Sequence, residues 1–119
     1  MTILTTPIRN AINIEVALQR MSGNTTLLAT LAAYFLEDAP QLLEQLHDGL
    51  RINSLEQVTL SAHSLRGLAA TFEATPFVTL AMEIENLGRV GDASRLNELT
   101  AQLDIEFARL LAALQTLAA

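Results

Sequence analysis

Within the run Leu55 to Phe72, LEQVTLSAHSLRGLAATF, three residue types that together suit phosphoryl chemistry stand close by: His63, Arg66 and Gly67. Stepping about 100° per residue around a helix places Val58, Ser61, Leu65, Leu68 and Phe72 on one side, opposite His63. His63 is therefore expected to point outward, with Glu56, Thr59, Leu60, Arg66, Gly67 and Ala70 around it. An outward imidazole offers a nucleophilic nitrogen at neutral pH. Arg66, three residues on, adds a permanent cation with a rigid set of donors suited to an anion. Gly67 is costly inside a helix, by about 1 kcal/mol relative to alanine. Its simplest use is clearance for a group approaching the imidazole. The plainer alternatives are a solvated histidine, an ion pair of Arg66 with Glu73 or another carboxylate worth little energy, and a glycine that lets another helix pack, though Gly67 is on the wrong face for that.

Two rival chemistries are weaker. Glu44-Gln45-Leu46-His47 has the E-x-x-H spacing of di-iron bundles, but such sites need the motif twice, and Leu60 stands where His63 would need its glutamate. Leu46 to Gly49 is instead expected to be a fraying helix end. A nucleotide-binding loop of the G-x-x-x-x-G-K-[ST] type is absent and the chain has no lysine, so no ATP site of that kind is expected. Glu37, Asp38, Glu83, Glu85, Glu98 and Asp104 are expected on solvated helix faces.

Composition narrows the class. The chain has 119 residues, enough for one core, and half of them are apolar, mostly Leu and Ala, which favours helix over strand. The formal charge is -6 and all seven basic residues are scattered arginines, which argues against nucleic acid as a partner. Cysteine is absent, so neither a disulfide framework nor a zinc-finger site is available. No window holds 18 consecutive apolar residues. A soluble, cytoplasmic domain without membrane insertion is expected, either free-standing or a module of a larger signalling protein.

The elements that must position His63 follow from periodicity and capping residues. Residues 1–12 read as an N-terminal arm and 13–119 as a helical bundle. Asn13 caps a short helix, Ile14 to Met21, ended by Ser22-Gly23. Asn24 caps a helix from Thr25 to Leu50, expected to run on past Pro40 with a kink because its apolar phase continues. Ser54 caps the His63 helix, and Pro76 suits the first turn of the next, whose apolar face is Phe77, Leu80, Ala81, Ile84 and Leu87. Gly88 to Gly91 is expected to end it. Asp92 or Ser94 then caps a last helix carrying Leu96, Leu99, Leu103, Phe107, Leu110, Leu111, Leu114 and Leu117. Short connections make neighbours antiparallel, so the fold is expected to be all-α: an up-down antiparallel four-helix bundle with a short additional N-terminal helix.

His63-Ser64-Leu65-Arg66-Gly67, with Phe72 and Leu80 to Glu85 after it and Phe35-Leu36-Glu37-Asp38-Ala39-Pro40 before it, resembles the signature of histidine-containing phosphotransfer (HPt) domains. The resemblance spans roughly residues 14–115. It implies that His63 is a phosphoacceptor and phosphodonor in a His-Asp phosphorelay, taking the group from one receiver-domain aspartate and giving it to another. Arg66 would be an electrostatic helper where the family usually has lysine. Thr59, Leu60, Ala70 and Glu73 would meet the partner. The implied partners are response-regulator receiver domains and a hybrid sensor kinase; Mg²⁺ would belong to the receiver, and the chain would be a phosphorylated intermediate without a cofactor of its own, not an enzyme. Glu73 stands where the family commonly has glycine, and a carboxylate there would repel an acidic partner. The alternative is accordingly a receiver-binding helical module that docks or sequesters without transfer.

Overall fold

Among the described residues, polar caps and apolar stripes mark out five helices. The structure, a computed structural model, describes residues 11–118. Helix α1 is Ile14–Arg20, α2 Thr25–Arg51, α3 Leu55–Ala70, α4 Thr75–Val90 and α5 Leu96–Ala118. Three of the expected caps are formed: Asn13 Oδ1 accepts from the Val16 amide, Asn24 Oδ1 from Leu27 and Ser54 Oγ from Gln57. Most of the expected arm, residues 1–12, lies outside the described residues; its last two, Ala11 and Ile12, are buried.

Helices α2 to α5 close a ring in which α2 packs on α3, α3 on α4, α4 on α5 and α5 back on α2. Each turns one apolar stripe inward, as a four-helix bundle requires. Phe35 of α2 meets Phe72 edge to face at 5.8 Å, and Phe77 of α4 packs on Phe107 of α5 at 5.8 Å. Helix α1 lies against α2 and also ties down the far end of α3. The Asn13 amide donates to the Phe72 carbonyl, and Arg20 reaches the Ala70 carbonyl and the Glu73 carboxylate.

Helix α2 passes through Pro40 as one element, as its uninterrupted stripe requires. Two local expectations are corrected and one is refined. Leu46 to Gly49 is not frayed: Leu46 and Gly49 are buried, and His47 Nε2 lies 2.8 Å from Asp104 Oδ1 of α5. Helix α4 ends within Gly88 to Gly91 as expected, but Gly88 itself is not the stop. It is buried inside the helix, where a Cβ would overlap the Thr59 hydroxyl, so its lack of a side chain lets α3 and α4 approach. The stop is Gly91, with φ 81°, whose amide and that of Asp92 close the last turn. Asp92 accepts from the Ser94 amide and hydroxyl in the turn before α5 and does not cap that helix directly.

Candidate functional site

Helix α3 buries Val58, Ser61, Ala62, Leu65 and Ala69, which forces His63 outward; its side chain is 61% exposed. The bundle then brings α4 alongside. Its inward residues Phe77, Ala81 and Glu85 are spaced four apart, so Glu85 sits on the buried arc below the histidine. Glu85 is 2% exposed, which corrects the expectation that it is a solvated acid. An ionised carboxylate at such a depth must be paired with cations or donors.

Glu85 has three partners. His63 Nδ1 lies 2.8 Å from its Oε2, Arg66 Nε donates to its Oε1 at 2.8 Å, and an Arg89 terminal nitrogen donates to Oε2 at 2.6 Å. Burial by itself pushes this carboxyl up, but the hydrogen bonds and charges of Arg66 and His63 outweigh it and hold the group at about 2. Glu85 is therefore ionised at neutral pH and acts only as an acceptor.

That settles the histidine tautomer. Nδ1 must carry the proton to bond a carboxylate at 2.8 Å, which leaves the Nε2 lone pair on the exposed side of the ring. Among the described residues no group bonds Nε2. A terminal nitrogen of Arg66 also lies 3.2 Å from Nδ1, but a protonated Nδ1 has no lone pair for it. One end of the Arg66 guanidinium is committed to Glu85 and the other stands beside the imidazole. Of the two expected pairings for Arg66, Glu73 or another carboxylate, the partner is Glu85.

The remaining candidates are distributed as follows. A Cβ on Gly67 would meet nothing within 4 Å, so the space above it is open. Leu60 is 60% exposed. Thr59 is half-buried; its hydroxyl donates to the Leu55 carbonyl and faces Gly88 of α4. Ala70 is half-buried, and its carbonyl accepts from Arg20. Glu73 lies beyond the end of α3, paired with Arg20 of α1, at φ 52°. That left-handed backbone gives a local physical reason for glycine at this position, independent of any docking partner.

Beside His63, between α2 and α3, runs an open groove of about 580 Å³ whose walls include Asp38, Gln41, Gln45, Gly67 and Leu68. Among the described residues no three His, Asp or Glu side chains come together as a metal site would require, and no helix is long and apolar enough to cross a membrane.

An antiparallel four-helix bundle that presents a solvent-facing histidine, held by a buried carboxylate, from the middle of a helix has the architecture of a phosphoryl-carrying domain. The model of the Hpt domain family matches residues 30–117, and the chain belongs to that family. In structure it is similar to histidine-containing phosphotransfer protein B from Pseudomonas aeruginosa PAO1, with a TM-score of 0.82 and 22% sequence identity over 89% of this chain and 92% of that one. No curated protein matches the chain by sequence. Hpt domains carry phosphoryl groups in phosphorelays and are not kinases with ATP sites.

Proposed function

We propose that His63 accepts a phosphoryl group from the phospho-aspartate of one receiver domain and later passes it to the aspartate of another, with a hybrid sensor kinase upstream. The observation that carries this reading is the division of the imidazole: Nδ1 is held by a buried carboxylate while Nε2 faces solvent. In the step, the Nε2 lone pair forms the N–P bond as the bond between phosphorus and the aspartyl oxygen breaks, and the freed carboxylate leaves with the receiver. The ring gains positive charge as this happens. Glu85, already ionised against Nδ1, stabilises that charge, and the Nδ1 proton stays where it is.

Such transfers are governed mainly by positioning and charge. Glu85 orients the ring, Arg66 supplies a fixed cation whose terminal nitrogen stands beside Nδ1, and Gly67 leaves open space on the same helix face. The metal ion needed to shield the phosphate belongs to the receiver. The docking-only alternative rests on Glu73, whose carboxylate is neutralised by Arg20 ten residues on from His63, beyond the end of α3.

The test is incubation of the purified chain with a receiver domain charged by acetyl phosphate and Mg²⁺. An acid-labile, alkali-stable phosphoprotein is expected, and His63→Gln should abolish it. Label retained by that variant, or binding of receivers without any transfer, overturns the proposal.

A further inference from the structure

We infer that the groove between α2 and α3 selects receiver domains whose docking helix is basic, and that Asp38 and Glu56 are the residues that read its charge. The inference rests on the phosphotransfer reading and adds a partner class to it. Its basis is an asymmetry across His63. On the α4 side, two guanidinium groups, Arg66 and Arg89, surround the single carboxylate of Glu85 and leave a net positive charge. The α2 side has the opposite sign. Asp38 lines the groove section beside the imidazole, and Glu56 lines its continuation past Leu60, a further 470 Å³ or so.

Apart from His63, the groove's other polar residues carry no ionisable group. Gln41, Gln45, Gln57 and Ser64 supply amides and hydroxyls, and among the described residues no arginine lines either section. Asp38 and Glu56 are both exposed, with no ion pair among the described residues to cancel them. Leu42 and Leu68 form part of the walls, and Leu60 stands as an apolar rim residue. A segment that fits must therefore bring apolar side chains for the leucines and cations for the acids.

The receiver that fits presents both charges in the matching order. Its phospho-aspartate pocket is acidic and belongs over Arg66 and Arg89, and a basic helix beside that pocket would then lie over Asp38 and Glu56. An acidic helix in that place would set like charges together in a partly desolvated groove, which costs affinity and slows encounter. A second copy of this chain, with a net charge of -6, is disfavoured for the same reason.

The experiment uses two receiver probes: one whose helix beside the aspartate carries Lys and Arg, and the same domain with those residues changed to Glu. Binding of each to the full chain is measured by titration without phosphate, at low and high salt. The wild-type chain should bind the basic probe about tenfold more tightly at low salt, and the preference should shrink at high salt. Asp38→Lys combined with Glu56→Lys should reverse it. Should that double variant not fold, Asp38→Asn with Glu56→Gln must at least halve the preference. No preference in the wild type, or a preference unmoved by these changes, overturns the inference. Transfer from the same probes is scored separately, so charge selection without transfer removes only the phosphotransfer reading, and transfer without charge selection removes only this one.

Discussion

His63 Nδ1 and Glu85 Oε2, 22 residues apart in the chain, are 2.8 Å apart in the fold, so a buried carboxylate of α4 decides which nitrogen of an exposed imidazole on α3 is nucleophilic. The first prediction follows directly. Glu85→Ala removes a charge-assisted bond of the kind worth about 1.5–3 kcal/mol, so transfer to His63 should slow by roughly 10- to 100-fold. Nitrogen-15 NMR should show His63 moving from the Nδ1–H tautomer to a mixture. An unchanged tautomer in that variant would show that Glu85 does not orient the ring.

Stability should depend on acid in a defined direction. The Glu85 carboxyl titrates at about 2 in the folded chain against an ordinary value of 4.5, because Arg66 and His63 overcome the upward push of burial. A carboxyl lowered by folding stabilises fully above its unfolded value and loses that contribution as pH falls through the folded one. Glu85→Gln should therefore lower the melting temperature at neutral pH, and its deficit relative to wild type should close as pH falls from about 4.5 toward about 2.

The α3–α4 spacing gives a third prediction. An added methyl at Gly88 would overlap the Thr59 hydroxyl, so Gly88→Ala should cost about 1–3 kcal/mol in denaturant unfolding despite alanine's better helix propensity. Since Thr59 lies one turn before His63 on α3 and Glu85 one turn before Gly88 on α4, transfer should slow as well. Adding Thr59→Ala should recover most of the stability, and a double-mutant cycle without coupling would count against a steric cause.

The bundle was legible because its signals are local. Asn13, Asn24 and Ser54 cap the helices that follow them, Gly91 stops α4, and the leucine stripes keep helical phase even through Pro40. His63, Arg66 and Gly67 stood out because they share one face of one helix. Glu85 was missed because two of its partners, His63 and Arg66, lie on another helix, and an acid between Glu83 and Asn86 reads as surface. A signal was present nonetheless: Phe77, Ala81 and Glu85 recur every four residues, which puts the acid on the stripe that Ala81 and Ile84 bury. Arg89, one turn beyond, was the accompanying sign. Within the span Gly88 to Gly91 the sequence does not separate the stop at Gly91 from the packing role of Gly88, because close approach between helices leaves no local trace. Glu73 was assigned to the partner surface from a departure in type, whereas its positive φ and its bond to Arg20 depend on how α1 folds back.

Glu85 has both oxygens occupied before any partner arrives, which bears on speed as well as chemistry. The ring it holds has little rotational freedom left to surrender at the moment of encounter, so the entropy of aligning the attacking atom is already spent during folding. In the proposed relay such an imidazole presents the same face to donor and to acceptor, which leaves the meeting and parting of the two surfaces to set the pace.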